Sequence, residues 1–144
     1  FFMRGQMLPT TFDSTHFYAV TPQQLLKYIS QFDSCLLYFW DDHCPGRLCL
    51  SPLVYQQFCD LHGYKFIFIS KGYYHVRYID QFTNGVDYPY FCINSFIYNT
   101  DNVLKYLRKF NKEMVGKEFK WGLWDAETRC GFIVMENFPS PIPF

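Results

Sequence analysis

Apolar positions along the chain follow two rhythms, and the switches between them mark out the elements. Leu25, Leu26, Tyr28, Ile29 and Phe32 recur at helical spacing. Ahead of them, Thr21-Pro22-Gln23-Gln24 has the residues of a helix start: Thr as N-cap, Pro at the first position and Gln completing a capping box. The spacing predicts a helix over 22–32. Ser34–Trp40 is a short aromatic-rich apolar run bounded by Asp33 and Asp41-Asp42, the pattern of a buried strand. From Cys44 a second helix is predicted to run to Leu61, kinked at Pro52 and stopped by Gly63.

Lys65–Ser70 reads as the next buried strand. Tyr73–Phe82 has no decisive period and is open to a helix, ended by the Asn84-Gly85 turn. Tyr90–Ile93 is predicted as a strand, Asn94-Ser95 as a tight turn and Phe96–Tyr98 as its hairpin partner. Thr100 or Asp101 then caps a helix whose apolar stripe is Val103, Leu104, Tyr106, Leu107 and Phe110. Phe119–Trp124 and Arg129–Glu136 read as two further strands, and Thr15–Val20 as a short one near the start. The order implies a parallel βαβ unit with an antiparallel edge, in a mixed α/β sheet with helices on both faces.

Composition narrows the class. With 144 residues the chain suits one domain. Its 32 aromatic residues (17 Phe, 12 Tyr, 3 Trp) carry too much burial potential for disorder. Thirteen Lys plus Arg balance thirteen Asp plus Glu, so the basic footprint of a nucleic-acid binder is missing. No run approaches the ~18 apolar residues of a membrane span. A soluble globular domain is expected, without nucleic acid, membrane span, metal or cofactor. The chain begins Phe1-Phe2-Met3-Arg4 instead of at an initiator Met, which points to a processed protein and to an extracytoplasmic location, periplasmic or secreted.

Candidate chemistry centres on Phe39-Trp40-Asp41-Asp42-His43-Cys44-Pro45-Gly46-Arg47. The predicted elements put Cys44 after a buried strand and at a helix start, where amides and the helix dipole stabilise a thiolate. Arg47, on the same helical face, adds a fixed positive charge, and His43 another when protonated. Of the six cysteines, Cys35 and Cys92 sit in apolar strands and Cys59 on a helix face with Tyr55, all as inert core. Cys130 has no assigned partner. A zinc site from Cys44, Cys49, Cys59 and His62 is dismissed, because one continuous helix would separate Cys44 from Cys59 by about 22 Å. Asp41-Asp42 reads as a solvated loop, since adjacent side chains point apart.

The strand Leu36-Leu-Tyr-Phe-Trp40, Cys44 four residues on, Pro52 eight residues later, strand Lys65–Ser70, Tyr88-Pro89-Tyr90-Phe91 and the last helix together resemble the thioredoxin superfamily, over roughly 21–112. The resemblance implies a thioredoxin-like domain with the strands of 117–136 as an appended β-hairpin and 137–144 as a Pro-rich tail. It implies a cis-proline at Pro89 facing Cys44, with Tyr88 pairing a bound peptide. The departures are equally clear. Arg47 stands where the second cysteine belongs, giving Cys-Pro-Gly-Arg; Tyr38 replaces the family's buried acid, and His43 its Trp.

Cys49 is the substitute resolving residue, yet five residues of regular helix separate it from Cys44 by about 7.5 Å and ~140°. A disulfide needs Cα atoms within about 7 Å. Pairing requires a loop at 44–48, against which the Pro52 spacing argues.

Two functions follow. One is thiol–disulfide exchange with protein thiols or disulfides through Cys44, with Arg47 and Pro89 in the catalytic centre and Tyr88, His43 and Trp40 contacting substrate. Release then needs an external thiol. The other is a non-catalytic binding or assembly module that engages a protein partner. Trp40 reads more simply as a structural ring, and Phe119, Trp121 and Trp124 as cover for a sheet edge.

Overall fold

A computed structural model describes residues 8–40, 51–72, 83–114, 119–125 and 130–136. The first helix, α1 (Pro22–Ile29), starts where the capping pair places it. Thr21 Oγ1 accepts from the Gln24 amide at 3.2 Å, and Gln24 Oε1 accepts from the Thr21 amide at 3.0 Å. It ends three residues earlier than its apolar period suggests. The Ser30 hydroxyl donates to the Lys27 carbonyl at 2.6 Å, and the Phe32 amide turns back to Ile29. A serine that bonds its own helix competes with continuation of the spiral.

The strands are β1 (Phe17–Val20), β2 (Ser34–Trp40), β3 (Lys65–Ser70), β4 (Tyr90–Ile93), β5 (Phe119–Asp125) and β6 (Cys130–Glu136). They form one mixed sheet in the order β1-β4-β3-β2-β6-β5. β1, β4, β3 and β2 are parallel, and β6 runs antiparallel to both β2 and β5. The expected parallel βαβ unit is therefore β2, β3 and the helix between them. β5 forms one edge, and its register with β6 slips between Trp121 and Trp124, which breaks the strict alternation of the sequence.

Alternation across the strands builds two cores, because successive side chains point to opposite faces. Tyr18, Val20, Cys35, Leu37, Phe39, Ile67, Ile69, Phe91 and Ile93 meet Leu25 and Ile29 on one face. A further helix, α3 (Val103–Met114), adds Tyr106, Leu107, Phe110 and Met114 to that core. Phe110 stands edge-on to Phe39, with ring centroids 6.0 Å apart. Phe17, Ala19, Leu36, Tyr38, Trp40, Phe66, Phe68, Tyr90 and Cys92 fill the other face. Each large side chain so buried contributes about 1.5–3 kcal/mol.

The helix covering that second face departs from expectation. α2 runs Pro52–His62, with Ser51 as its N-cap and Pro52 in its first turn. Ser51 is non-helical (φ −53, ψ 140), and its hydroxyl accepts from the Leu53 amide at 3.3 Å. Pro52 thus begins a helix instead of kinking one, since the first-turn amide it lacks has no intrahelical acceptor. Gly63 ends α2 as predicted, in the left-handed conformation (φ 75) that favours a residue without Cβ.

Two further details differ. Ser95–Tyr98 is a 3-10 turn and not a hairpin partner, closed by Asn99 in the left-handed region (φ 51). The cap of α3 is Asn102, whose Oδ1 accepts from the Lys105 amide at 3.1 Å. Thr100 supports that cap by accepting from the Asn102 amide at 3.2 Å. The predicted helix at 73–82 and the Pro-rich tail lie outside the described residues. Among those described, no helix is long and apolar enough to cross a membrane.

Candidate functional site

β2 delivers the chain at Trp40 to the carboxyl edge of the parallel strands, on the way to the candidate cysteine. His43, Cys44, Arg47 and Cys49, with Asp41 and Asp42, lie outside the described residues. The two aromatic residues that precede them are core. Trp40 is 4% exposed and packs with its ring 5.3 Å from that of Phe68. Tyr38 is fully buried, 4.4 Å from the ring of Tyr55 and 6.2 Å from that of Phe66. The position where the thioredoxin resemblance implies a proton-relaying acid is filled by aromatic packing.

Tyr88 and Pro89 enter the sheet from the opposite edge. The Tyr88–Pro89 peptide is cis, as the resemblance implies, and Tyr88 is 52% exposed. Their loop is held by Gln56, a 2% exposed residue of α2. Gln56 Oε1 accepts from the Asp87 amide at 2.9 Å, while its Nε2 donates to Asp87 Oδ2 at 3.2 Å and to Asp60 Oδ1 at 2.9 Å. Lys65 Nζ stands 3.9 Å from the same Asp87 oxygen. The Tyr90 hydroxyl donates to the Val86 carbonyl at 2.7 Å. Gly85 (φ 80) turns the loop, and a Cβ there would stand 2.9 Å from Leu53 Cδ1.

The register fixes how this loop relates to Trp40. Phe68 is level with both Tyr38 and Tyr90, so Pro89 lies three residues below the level of Trp40 and two strands away. At ~3.3 Å per residue and ~4.8 Å per strand, that is about 10 Å along the sheet and about 10 Å across it. Because β4 is parallel to β2's neighbour β3, its amino end is level with Leu37 and Tyr38 in the middle of β2, whereas the chain toward Cys44 leaves from the carboxyl end of β2. Pro89 is thus offset from the exit of β2, and the expectation that it faces Cys44 falls on a residue outside the described ones.

Three cysteines are described, and all three are buried free thiols. Burial pushes Cys35 up to about 12, with a smaller push from Cys59. Burial likewise raises Cys59 to about 12, helped by the carboxylates of Asp60 and Asp87. Cys92 is raised by burial alone. These are buried core groups, as the sequence predicts for them, and burial favours their protonated form.

The helical distance used against a zinc site does not hold for a helix that begins at Pro52. Even so, Cys59 is fully buried, while His62 is exposed against the Phe58 ring at 4.3 Å. No cluster of His, Cys, Asp and Glu suited to a metal ion occurs among the described residues.

At the carboxyl edge a half-open cleft of about 450 Å³ lies beyond β3 and β4, lined by Gly72, Ser95, Phe96, Asn99, Thr100, Asp101, Val103 and Tyr106. Its wall is tied to the sheet: the Tyr106 hydroxyl donates to the Lys71 carbonyl at 2.6 Å, and the Lys71 amide to the Trp40 carbonyl at 3.2 Å. The sequence reading misses this cleft. Ligand clefts of open parallel sheets form beyond the carboxyl ends of the strands, and strand order is not written in local periodicity.

Comparison with protein-family models, with curated proteins and with solved structures returns no match.

Proposed function

We propose that the chain is a non-catalytic binding or assembly module on a thioredoxin-like α/β scaffold, with β5 and β6 as an appended C-terminal hairpin. The succession of helix, strand, helix and strand over 22–70 supports the scaffold reading. The relation between Trp40 and Pro89 carries the functional part. A thiol exchange centre needs the attacking sulfur, a polarising environment and a surface that orients the partner disulfide within one small volume. Here the loop that would orient the partner joins β4 level with the middle of β2 and two strands away from it, and the residue replacing the buried acid is a packed tyrosine.

Turnover tests this reading. With dithiothreitol as reductant, the protein is expected not to accelerate reduction of insulin disulfides. Acceleration that disappears in Cys44→Ser overturns it.

Thiol–disulfide exchange through Cys44 stands as the second reading, and one observation favours it. Because Ser51 is extended and α2 begins at Pro52, Cys44 and Cys49 are not spaced by that helix, and the spacing argument against their pairing falls away. Loss of insulin reduction in Cys49→Ser is the signature of that pairing.

A further inference from the structure

We propose that the cleft beyond β3 and β4 binds a neutral polyhydroxylated small molecule of about the size of one sugar ring. This names a ligand class for the binding reading above, on which it rests. The cleft's volume of about 450 Å³ falls within the ~300–1,000 Å³ of small-molecule sites.

Its described lining includes Ser95, Asn99, Thr100 and Asp101, residues that carry two hydroxyls, a carboxamide and a carboxylate. Hydroxyls both donate and accept, a carboxamide does both at separate atoms, and a carboxylate only accepts. A run of vicinal hydroxyls satisfies such a set, each hydroxyl giving one proton and taking another. Among the described residues, no Lys, Arg or His lines the cleft, so the described lining gives a phosphate or carboxylate ligand no counter-ion beside the Asp101 charge. A simple amine would pair with Asp101 and leave the other groups to water.

The aromatic lining fits the same ligand. Phe96 is 60% exposed at the cleft and Tyr106 is 3% exposed within its wall. The C–H face of a sugar ring covers such a ring with apolar area while its edge keeps the hydroxyls directed at polar groups.

The experiment is a titration of the isotope-labelled full chain, followed by amide chemical shifts. Methyl glycosides of glucose, galactose, mannose and N-acetylglucosamine are the neutral probes. Glucose 6-phosphate and cadaverine are the anionic and cationic comparators. The proposal expects saturable shifts with at least one glycoside, centred on Gly72 and Ser95–Asp101, and weakened about tenfold or more, ~1.4 kcal/mol, in Asn99→Gly, which tolerates the left-handed backbone, and in Asp101→Ala. Both side chains are exposed, so the variants should keep the wild-type fold and spectrum elsewhere.

Absence of saturable shifts at these amides with every glycoside overturns the proposal. So does saturation there by a charged comparator alone. Either failure leaves insulin turnover to decide separately whether the chain is a binding module at all.

Discussion

Gln56 and Asp87, thirty-one residues apart, hold each other through both ends of one carboxamide, the Asp87 amide donating to Oε1 and the Asp87 carboxylate accepting from Nε2. Gln56 is buried on the sheet side of α2, so this clasp fixes the approach of the chain to β4. It positions Tyr88 and Pro89 from α2.

Removing the clasp leaves the Asp87 amide without its side-chain acceptor. Gln56→Ala is expected to destabilise the fold by about 1–3 kcal/mol, read from urea unfolding. Asp87→Ala should cost less, because Asp87 is exposed and its amide still bonds Gln56. The double variant should lose less than the sum of the two singles, the sign of a shared contact.

The start of α2 distinguishes a capped helix from a kinked one. Ser51→Ala is expected to cost about 0.5–2 kcal/mol, the worth of an N-cap. Pro52→Ala should change stability by less than ~1 kcal/mol, because a first-turn proline breaks no helical hydrogen bond. A gain near ~3 kcal/mol in Pro52→Ala, measured by denaturation, is the result a helix continuous from Cys44 requires.

Stability should fall in alkali through the buried thiols. Cys35 and Cys59 are pushed from their ordinary 9.0 up to about 12 in the fold. Below about 9 both states keep these protons, and the contribution is fully present. Between about 9 and about 12 the unfolded chain releases them while the folded one does not, so the unfolded state gains. For Cys35 the loss approaches ~1 kcal/mol per pH unit over that window. Unfolding free energies from pH 8 to 11 check this, with a shallower slope expected in Cys35→Ala. In the native protein at neutral pH, Cys35, Cys59 and Cys92 should resist alkylation, and all three should react in denaturant.

The face formed with α1 and α3 depends on Phe110, which is fully buried against Phe39. Phe110→Ala is expected to cost about 3–5 kcal/mol in chemical denaturation, against ~0.5 kcal/mol or less for Lys109→Ala, an exposed residue beside it.

Much of this fold is legible in the sequence because strand alternation and capping are local. Thr21 and Gln24 announce their helix, and Ser34–Trp40 and Lys65–Ser70 are strands to the residue. Pro52 is harder, since proline in an apolar periodic run fits both a kink and a first turn; the deciding neighbour is Ser51, whose hydroxyl caps the next turn. Phe96–Tyr98 looks like a strand through its side chains, but four residues closed by left-handed Asn99 make a 3-10 turn instead.

The candidate site is less legible. The place of Pro89 is implied only by the family resemblance, whereas its separation from Trp40 arises from β4 lying between β1 and β3. That placement depends on packing among distant segments. The cleft at Ser95–Asp101 escapes notice for the same reason, as does Gln56, a lone polar residue on the buried side of a helix.

The rate of Cys44 alkylation as a function of pH tests the central claim most directly. A binding module predicts a thiol titrating in the ordinary range of about 8.5–9, unchanged in Arg47→Ala and in Tyr88→Ala. A thiol that titrates well below about 7 in the wild type, and returns to the ordinary range in Arg47→Ala, contradicts the account and assigns the chain to thiol chemistry.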